Sequence, residues 1–327
     1  MRIAVDAMGG DYAPAEIVKG AVQGSRLYEV DVVLVGDEQK IKRCLPTAPG
    51  NPGSISTRHA AEVIGMSEEV DAVRTKKDAS VVVAASMVAG GEADAMVSVG
   101  NTAAAMAAAT LKLRPIKGID RAAIATVWPG NAGPTILLDA GAVADCKVEN
   151  LVQFAVMGSV YAEKVLSIPK PRVALLSIGE EKCKGNELTR AAHEKLAKMP
   201  VNFVGNVEGR HLLSSVADVV VTDGFTGNVA LKAAEGLIEH VIQLVQDDLR
   251  AHPLNRIPIL LLMPLMRRIK RRLDYSEYGG APLLGLNGVC IIGHGRSNAR
   301  AVANAVRAAK EAVNGGVVKA IQDALAA

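Results

Sequence analysis

The sequence predicts an α/β protein in which a mainly parallel β-sheet lies between layers of helices. Two observations support this prediction, namely a repeated sequence pattern and the length of the chain. Apolar runs repeatedly end in glycine-containing loops and are followed by helical patterns, as at residues 2–6 and 32–37. Consecutive strand and helix units of this kind build a parallel, Rossmann-like sheet. Because 327 residues are enough to bury a large core, we expect one α/β unit spanning residues 1–327.

The first strand, residues 2–6, leads into the turn Ala7-Met8-Gly9-Gly10-Asp11, and Pro14 suits the first turn of the next helix. Asp6 and Asp11 could bind a metal at this turn, although such carboxylates more often cap helices. A strand over residues 93–99 later delivers Gly100-Asn101-Thr102 to the start of an alanine-rich helix. The chain therefore repeats a strand, a polar glycine loop and a helix.

Strands and helices continue to alternate through the rest of the chain. Strands are expected at residues 121–128, 134–139, 172–179 and 288–292, and helices at residues 150–166, 188–199 and 299–313. The first two of these strands form a hairpin around residues 130–133. The loop over residues 180–187 carries Lys184 and Asn186, and His294 follows the last strand as a further candidate for function.

The centre of the chain combines a strand at Val219-Val220-Val221 with a loop that contains Gly224 and Gly227. A helix is predicted from Asn228 to residue 249, with Asn228 as its N-cap. The unpaired N–H groups and the dipole of a helix N-terminus favour a bound anion. The stretch is either an ordinary connection or an anion-binding loop, and the similar loop at residues 100–102 favours the second interpretation.

Residues 250–273 form a basic stretch that differs from everything around it. Between residues 250 and 272 it has seven cationic residues and no acidic one: Arg250, Arg256, Arg267, Arg268, Lys270, Arg271 and Arg272. Pro264 suits the first turn of a helix on which Leu265, Ile269 and Leu273 share one face. We expect a basic amphipathic helical hairpin protrusion that packs at a dimer interface, or contacts an anionic membrane or an acidic partner.

The composition argues against several classes of protein. No apolar run approaches the roughly 18–20 residues that a membrane span needs, and the chain starts directly in a strand, without a signal peptide. Four cysteines without CxxC spacing indicate reduced thiols in a cytosol and no zinc site. A net charge of +3 and 3% aromatic residues do not favour nucleic-acid binding. Motifs of serine hydrolases, P-loop proteins, dinucleotide-binding proteins and zincins are missing.

The polar strand-end loops instead predict an oxyanion site. In an open α/β sheet the carboxyl ends of the strands border the ligand crevice. Backbone N–H groups, amides and one ammonium suit phosphate, each charge-assisted hydrogen bond contributing roughly 1.5–3 kcal/mol. Bound phosphate is itself a nucleophile, so such a site could transfer an acyl group to it without a covalent enzyme intermediate.

Short motifs spread in order over nearly the whole chain point to one family when they are taken together. They are Val5-Asp6-Ala7-Met8-Gly9-Gly10-Asp11, Ser98 with Gly100-Asn101-Thr102, Lys117-Gly118-Ile119-Asp120-Arg121, Gly179-Glu180-Glu181, Lys184-Gly185-Asn186-Glu187-Leu188, Gly205-Asn206-Val207-Glu208-Gly209, residues 223–228 and residues 273–285. This ensemble resembles the bacterial acyl-ACP:phosphate acyltransferase family, PlsX. The chain departs from the family's pattern at Ala103, Val143 and Cys183, where Gly, Asn and Gly are usual.

The resemblance implies reversible transfer of a long-chain fatty acyl group from acyl carrier protein to inorganic phosphate. The acyl phosphate would serve the membrane enzyme that acylates glycerol 3-phosphate in phospholipid synthesis. The resemblance also implies a homodimer with a fold akin to phosphotransacetylases and isocitrate/isopropylmalate dehydrogenases. We expect no metal or cofactor, and a cytoplasmic protein associated peripherally with the inner face of the plasma membrane.

The resemblance and the loop pattern together define candidate site residues. We expect Gly100, Asn101, Thr102 and Gly227 to bind phosphate, and Lys184 to hold it with them. Asn186 and Asn228 are expected to donate to the thioester oxyanion, unless they only cap helices. The acidic acyl carrier protein or the membrane would contact the basic stretch at Arg267, Arg268, Lys270, Arg271 and Arg272.

Two other functions stay open at this point. A phosphotransacylase that uses short acyl-CoA would need the same phosphate site but no basic surface for a carrier protein. A non-enzymatic scaffold that brings the carrier protein to the membrane would bind it without releasing thiol. A dehydrogenase is disfavoured, because the acidic metal cluster and cofactor loop of that chemistry are not evident.

Overall fold

The computed structural model describes residues 1–45, 54–251 and 279–326. The strands are β1 (Arg2–Asp6), β2 (Asp31–Gly36), β3 (Ile55–His59), β4 (Ala95–Ser98), β5 (Ala123–Pro129), β6 (Pro134–Leu138), β7 (Val173–Leu176), β8 (Phe203–Val207), β9 (Val219–Val221), β10 (Ala281–Leu284) and β11 (Val289–Ile292). The α-helices are α1 (Ala15–Tyr28), α2 (Glu38–Cys44), α3 (Ala72–Thr75), α4 (Ser80–Ala89), α5 (Thr102–Leu113), α6 (Val148–Lys164), α7 (Glu187–Leu196), α8 (Gly224–Ala251), α9 (Ala299–Asn314) and α10 (Val317–Ala326).

All of these strands join one sheet, in the order β3-β2-β1-β4-β11-β10-β5-β6-β9-β7-β8. The five strands from β3 to β11 are mutually parallel, and so are the four from β6 to β8. Three antiparallel pairings, β11 with β10, β10 with β5, and β5 with β6, lie between them. An odd number of reversals makes the two parallel halves run in opposite directions. The predicted α/β class and mainly parallel sheet are confirmed, but the strand ends of the two halves lie at opposite edges.

The two faces of the sheet are covered differently. On one face a single apolar cluster extends across both halves and includes side chains of α1, α6 and α9. On the other face α4 and α5 cover the first half, whereas α8 packs on a separate cluster in the second half. Leu231 of α8 is the residue that packs against both of these clusters. A gap is left between α5 and α8, above the central strands.

Local sequence signals explain most elements. The predicted hairpin is present, because β5 and β6 pair in antiparallel register from Pro129 opposite Pro134 to Ala125 opposite Leu138. β3 and β10 were not predicted: β3 is a half-exposed edge strand without an apolar pattern, and β10 is a short strand that directly follows two glycines. Both obtain their conformation from pairing with a neighbouring strand.

The prediction that a helix begins at Asn228 is wrong. α8 begins at Gly224, and the Asp223 carboxylate accepts hydrogen bonds from the Thr226 backbone N–H and hydroxyl, each 2.8 Å long. Asp223 is therefore the residue that caps the helix, and Asn228 lies inside its second turn.

The predicted basic protrusion at residues 250–273 lies outside the described residues, apart from Arg250 and Ala251 at the end of α8. The predictions for Arg267, Arg268, Lys270, Arg271 and Arg272 therefore stay predictions. Within the described ranges, we find no helix that combines the length and the apolar composition needed to cross a membrane.

Candidate active site

A cleft of about 210 Å³ occupies the gap between α5 and α8. Its floor is apolar and comes from the central strands, through Ile124 of β5, Ala281 of β10 and Ile292 of β11. Thr102, the first residue of α5, lies on one side of the cleft, and Asn228 and Leu231 of α8 lie on the other. Pockets with an apolar lining and a few convergent polar groups are typical ligand sites.

A buried aspartate fixes the wall of the cleft that carries α5. Asp6, at the end of β1, accepts a 2.7 Å hydrogen bond from the Ser98 hydroxyl and bonds of 3.2 and 3.1 Å from the N–H groups of Met8 and Gly9. Burial raises the pKa of Asp6, although hydrogen bonds from Ser80 and Ser98 act in the opposite direction. These bonds use the carboxylate structurally, which argues against the metal-binding alternative for this residue.

The same loop packs on the loop that precedes α5 by direct backbone contact. A Cβ on Gly9 would lie 2.8 Å from the Cα of Gly100. Side chains larger than hydrogen would therefore separate the two loops. Gly100, predicted to bind phosphate, has this packing role in the structure.

A second buried aspartate fixes the opposite wall in a similar way. Asp139, which follows β6, accepts hydrogen bonds from the N–H groups of Ile124, Gly141, Ala142 and Val143 at 2.7–3.1 Å. Burial raises its pKa, and these backbone hydrogen bonds oppose the increase. The resulting turn places Ala140 in the lining of the cleft.

The start of α8 packs tightly on this second turn. A Cβ on Gly224 would lie 2.6 Å from the Asp139 carboxylate, and a Cβ on Gly227 would overlap the Asp139 carbonyl oxygen. Gly227 is buried and does not belong to the described lining of the cleft. The structure thus gives Gly227 a packing role, which holds the neighbouring Asn228 at the cleft.

Asn101 is committed to structural hydrogen bonds. Its Oδ1 accepts from the Ala104 N–H as the N-cap of α5, and its Nδ2 donates to the carbonyl oxygens of Gly65, Met66 and Glu68 at 3.0–3.4 Å. Its side chain therefore positions the segment 65–68 next to the start of α5. Thr102 is exposed and faces the cleft, so it is the member of this motif whose side chain is placed to meet a ligand.

Lys184 and Asn186 lie on the loop after β7 and do not belong to the described lining of the cleft. β7 and β9 are parallel neighbours, so this loop and the start of α8 follow adjacent strands at one edge of the sheet. Five strands separate β7 from β4, which places Lys184 roughly 25–30 Å along the sheet from residues 100–102. Within a single chain, Thr102 and Asn228 therefore line the same cleft, whereas Lys184 lies away from it.

Asn186 is the N-cap of α7, because its Oδ1 accepts a 2.8 Å hydrogen bond from the Thr189 N–H. The Lys184 side chain is exposed and forms no ion pair or hydrogen bond within the described residues. Its ammonium is consequently available to an anion.

The cleft also contains Lys232, Glu235 and Ser297, which the sequence did not single out. Lys232 and Glu235 of α8 form a 2.8 Å ion pair in the lining, and Ser297 lies beside His294, the further candidate that the sequence offered. His294 accepts a 3.2 Å hydrogen bond at Nδ1 from the Arg296 N–H, and its carbonyl oxygen accepts a 2.6 Å bond from the Ser297 hydroxyl. In the described part of the chain, no group of three or more His, Cys, Asp or Glu residues could hold a metal ion.

The fold and the cleft define the class: an α/β protein with the phosphotransacetylase fold. A phosphotransacetylase from Streptococcus pyogenes superimposes with a TM-score of 0.63 at 16% identity, covering 98% of this chain and 94% of that one. A branched-chain phosphotransacylase from Enterococcus faecalis V583 gives 0.59 at 14% identity and covers 96% and 99%. A 4-hydroxythreonine-4-phosphate dehydrogenase from Klebsiella pneumoniae gives 0.54 at 15% identity and covers 95% and 99%. The predicted kinship with phosphotransacetylase and dehydrogenase folds is confirmed at this level.

Sequence similarity identifies the family. The family described as "Fatty acid synthesis protein" matches residues 1–320. A phosphate acyltransferase from Desulfitobacterium hafniense (strain DSM 10664 / DCB-2) is 52% identical over 99% of this chain and 98% of its own length. Another phosphate acyltransferase, from Pelotomaculum thermopropionicum, is 51% identical over 99% and 95%. The chain belongs to this fatty acid synthesis family, in which these relatives are phosphate acyltransferases.

Proposed function

We propose that the protein transfers a long-chain fatty acyl group from acyl carrier protein to inorganic phosphate. A phosphate oxygen attacks the thioester carbonyl carbon, the carbon–sulfur bond breaks, and the thiolate leaves and takes up a proton. The products are an acyl phosphate and free carrier thiol. The observation that carries this proposal is the cleft, whose lining combines Thr102 at the start of α5, Asn228 of α8 and an apolar floor.

The start of α5 supports phosphate binding. Thr102 offers a hydroxyl at the first turn of a 12-residue helix, where backbone N–H groups and the helix dipole favour an anion. Asn101 contributes by positioning this turn, since its own side chain is already hydrogen bonded. Gly100 contributes by allowing the close approach of the neighbouring loop.

Asn228 is proposed to donate from its amide to the carbonyl oxygen as negative charge develops there. It is exposed to the cleft and packs beside the Asp139 turn through Gly141. Loss of one such donor typically lowers kcat by roughly 10²–10³-fold. Lys184 stays a proposed phosphate ligand because its ammonium is unpaired, whereas Lys232 is neutralised by Glu235. Since Lys184 lies roughly 25–30 Å along the sheet from Thr102 of the same chain, it can meet the same phosphate only from the other subunit of the homodimer proposed below. Asn186 stays a proposed donor through Nδ2, since its Oδ1 caps α7.

The acyl chain is proposed to lie on the apolar floor of the cleft. Each buried methylene contributes about 0.8 kcal/mol, so a long chain gains much of its affinity from this surface. We also propose a homodimer, which is supported by exposed apolar side chains along α8 at Leu237, Val241 and Leu244. Peripheral association with the inner face of the plasma membrane, and delivery of acyl phosphate to a glycerol-3-phosphate acyltransferase there, complete the proposal.

The test measures free thiol and acyl phosphate after incubation with palmitoyl-acyl carrier protein, with and without orthophosphate. We expect wild type to release thiol only when orthophosphate is present. Thr102→Val should raise the KM for phosphate tenfold or more, and Asn228→Ala should lower kcat. Lys184→Ala should lose most activity, whereas Lys182→Ala, which removes another exposed ammonium of the same loop, should not.

Several outcomes would contradict this proposal. Thiol release without phosphate would indicate a thioesterase, and carrier binding without release would favour the scaffold. Equal turnover of short acyl-CoA would favour the phosphotransacylase alternative. If Lys184→Ala and Lys182→Ala both behave as wild type, Lys184 has no part in the reaction.

A further inference from the structure

A cluster of unpaired cations lies at the end of α5 that is remote from Thr102. Lys112, Arg114, Lys117 and Arg121 lie within ten residues of one another, and Arg114, Lys117 and Arg121 are exposed. None of their side chains forms an ion pair or hydrogen bond with any residue that the structure describes. Asp120 is the one carboxylate in this stretch, so it has a net charge of +3, equal to that of the whole chain. We call these four residues the cationic patch.

Hydrogen bonds from two sides fix the main chain of the loop that carries the cationic patch. Asn287 donates from its side chain to the carbonyl oxygens of Arg114 and Pro115, and the Ile116 N–H donates to Gly285. On the other side, Gln153 of α6 donates to the Gly118 carbonyl oxygen and accepts from the Asp120 N–H. Ile116 and Ile119 are buried beneath the loop. A main chain that is already fixed limits the conformational entropy that this loop would lose when a partner docks.

The cationic patch adjoins one wall of the cleft. Arg121 precedes β5 by two residues, and Ile124 of β5 lines the cleft. The Ile124 N–H donates to the Asp139 carboxylate, and its carbonyl oxygen accepts from the Ala140 N–H. The loop with the cations therefore leads directly into the wall that carries Ala140 and Asn228. A partner that docks on the patch can deliver a flexible thioester arm to the adjoining cleft.

We propose that the cationic patch is the docking surface for the acidic carrier protein that donates the acyl group. This inference rests on the function proposed above and adds the surface that recognises the donor. Complementary charge at an interface rim accelerates encounter and weakens with salt. A membrane is the less suitable partner for this patch, because Leu111 is the one exposed large apolar side chain in residues 111–122, and insertion into lipid needs an apolar face.

The experiment compares two triple charge reversals that change the net charge equally. One is Arg114→Glu with Lys117→Glu and Arg121→Glu. The matched control is Arg26→Glu with Arg43→Glu and Lys198→Glu, three exposed cations elsewhere that have no described ion pair. For each protein, kcat/KM is measured with palmitoyl-acyl carrier protein and with palmitoyl-pantetheine, which lacks the protein, at 50–500 mM NaCl.

We expect the patch variant to lose roughly 10- to 100-fold in kcat/KM with the carrier donor, to keep its activity with palmitoyl-pantetheine, and to lose the salt dependence that wild type shows. The control triple should resemble wild type with both donors. Wild-type kinetics in the patch variant, equal losses with both donors, or an equal loss in the control would overturn the proposal.

A binding measurement separates this proposal from the proposed function. Fluorescence anisotropy of labelled acyl carrier protein should show weaker binding to the patch variant even if wild type were to release no thiol. Sedimentation with phosphatidylglycerol vesicles tests the other anionic surface. If the patch reversal abolishes vesicle binding and leaves carrier binding unchanged, the patch is a membrane site and the proposal is overturned.

Discussion

Replacement of Gly227 by alanine should destabilise the protein, although alanine is the better helix former. A new Cβ would overlap the Asp139 carbonyl oxygen and would lie 3.0 Å from the Thr222 side chain. The carbonyl belongs to a turn that is held by the bonds of the buried Asp139 carboxylate, so it cannot swing aside as a flexible side chain could. Overpacking of this kind costs about 1–3 kcal/mol or more.

Gly236 provides the matched control, because it lies in the same helix and a Cβ there would meet nothing within 4 Å. Gly236→Ala should stabilise the protein by about 0.5–1 kcal/mol through helix propensity alone. The same propensity gain applies at Gly227, so the difference between the two variants measures the overlap. We therefore expect a difference of about 1–3 kcal/mol in the free energy of unfolding, since the propensity gain cancels.

Urea unfolding followed by far-UV circular dichroism measures both variants against wild type. Phosphate KM and kcat should also change in Gly227→Ala, because α8 must move and Asn228 moves with it. If the two variants unfold within about 0.5 kcal/mol of each other, roughly the spread of ordinary surface substitutions, the packing role given to Gly227 is wrong. Normal stability with lost phosphate affinity would instead restore Gly227 as a phosphate ligand.

Two further predictions concern the supporting residues of the cleft. Asp6→Asn should become more stable relative to wild type as the pH rises above 3.8, the ordinary pKa of aspartate, with a slope of up to about 1.4 kcal/mol per pH unit. The sign follows because burial raises the pKa of Asp6 in the folded state, so wild type loses stability as the carboxyl ionises, whereas the asparagine does not titrate. Urea unfolding of both proteins between pH 4 and 8 measures the difference in their free energies of unfolding. A difference that does not change with pH would contradict this prediction. Asn101→Ala should lower the free energy of unfolding by about 1–2 kcal/mol and accelerate amide exchange at residues 65–68. Hydrogen-exchange mass spectrometry can follow this exchange. Unchanged exchange at residues 65–68 would show that Asn101 does not hold this segment.

The sequence was sufficient for elements whose residues carry their own signal. β1 and β2 are largely buried apolar strands, and the hairpin of β5 and β6 surrounds a glycine-containing turn. The start of α8 was not predicted correctly, because Asn228 was taken as the N-cap and the capping position of Asp223, three residues before Thr226, was not considered.

Other features depend on pairing between distant segments and have no local signal. Nothing within β10 indicates that it pairs antiparallel with both β11 and β5. Those pairings reverse the second half of the sheet, so the assumption that all strand ends meet in one crevice failed. The loops with residues 100–102 and Lys184 each have the polar character that was predicted, but the sheet order separates them.

The walls of the cleft are formed by main chain, and this has a consequence for specificity. On one side the Asp6 turn packs on Gly100, and on the other the Asp139 turn packs on Gly224 and Gly227, in each case through glycine and a buried carboxylate bonded to backbone N–H groups. Main-chain contacts of this kind do not depend on which side chains line the cleft. Substitutions at lining positions such as Leu231 should therefore alter the proposed acyl-chain surface, while the turn at the start of α5, the proposed phosphate site, stays in place. Under the function proposed above, this separation lets the phosphate site stay constant while the acyl donor varies.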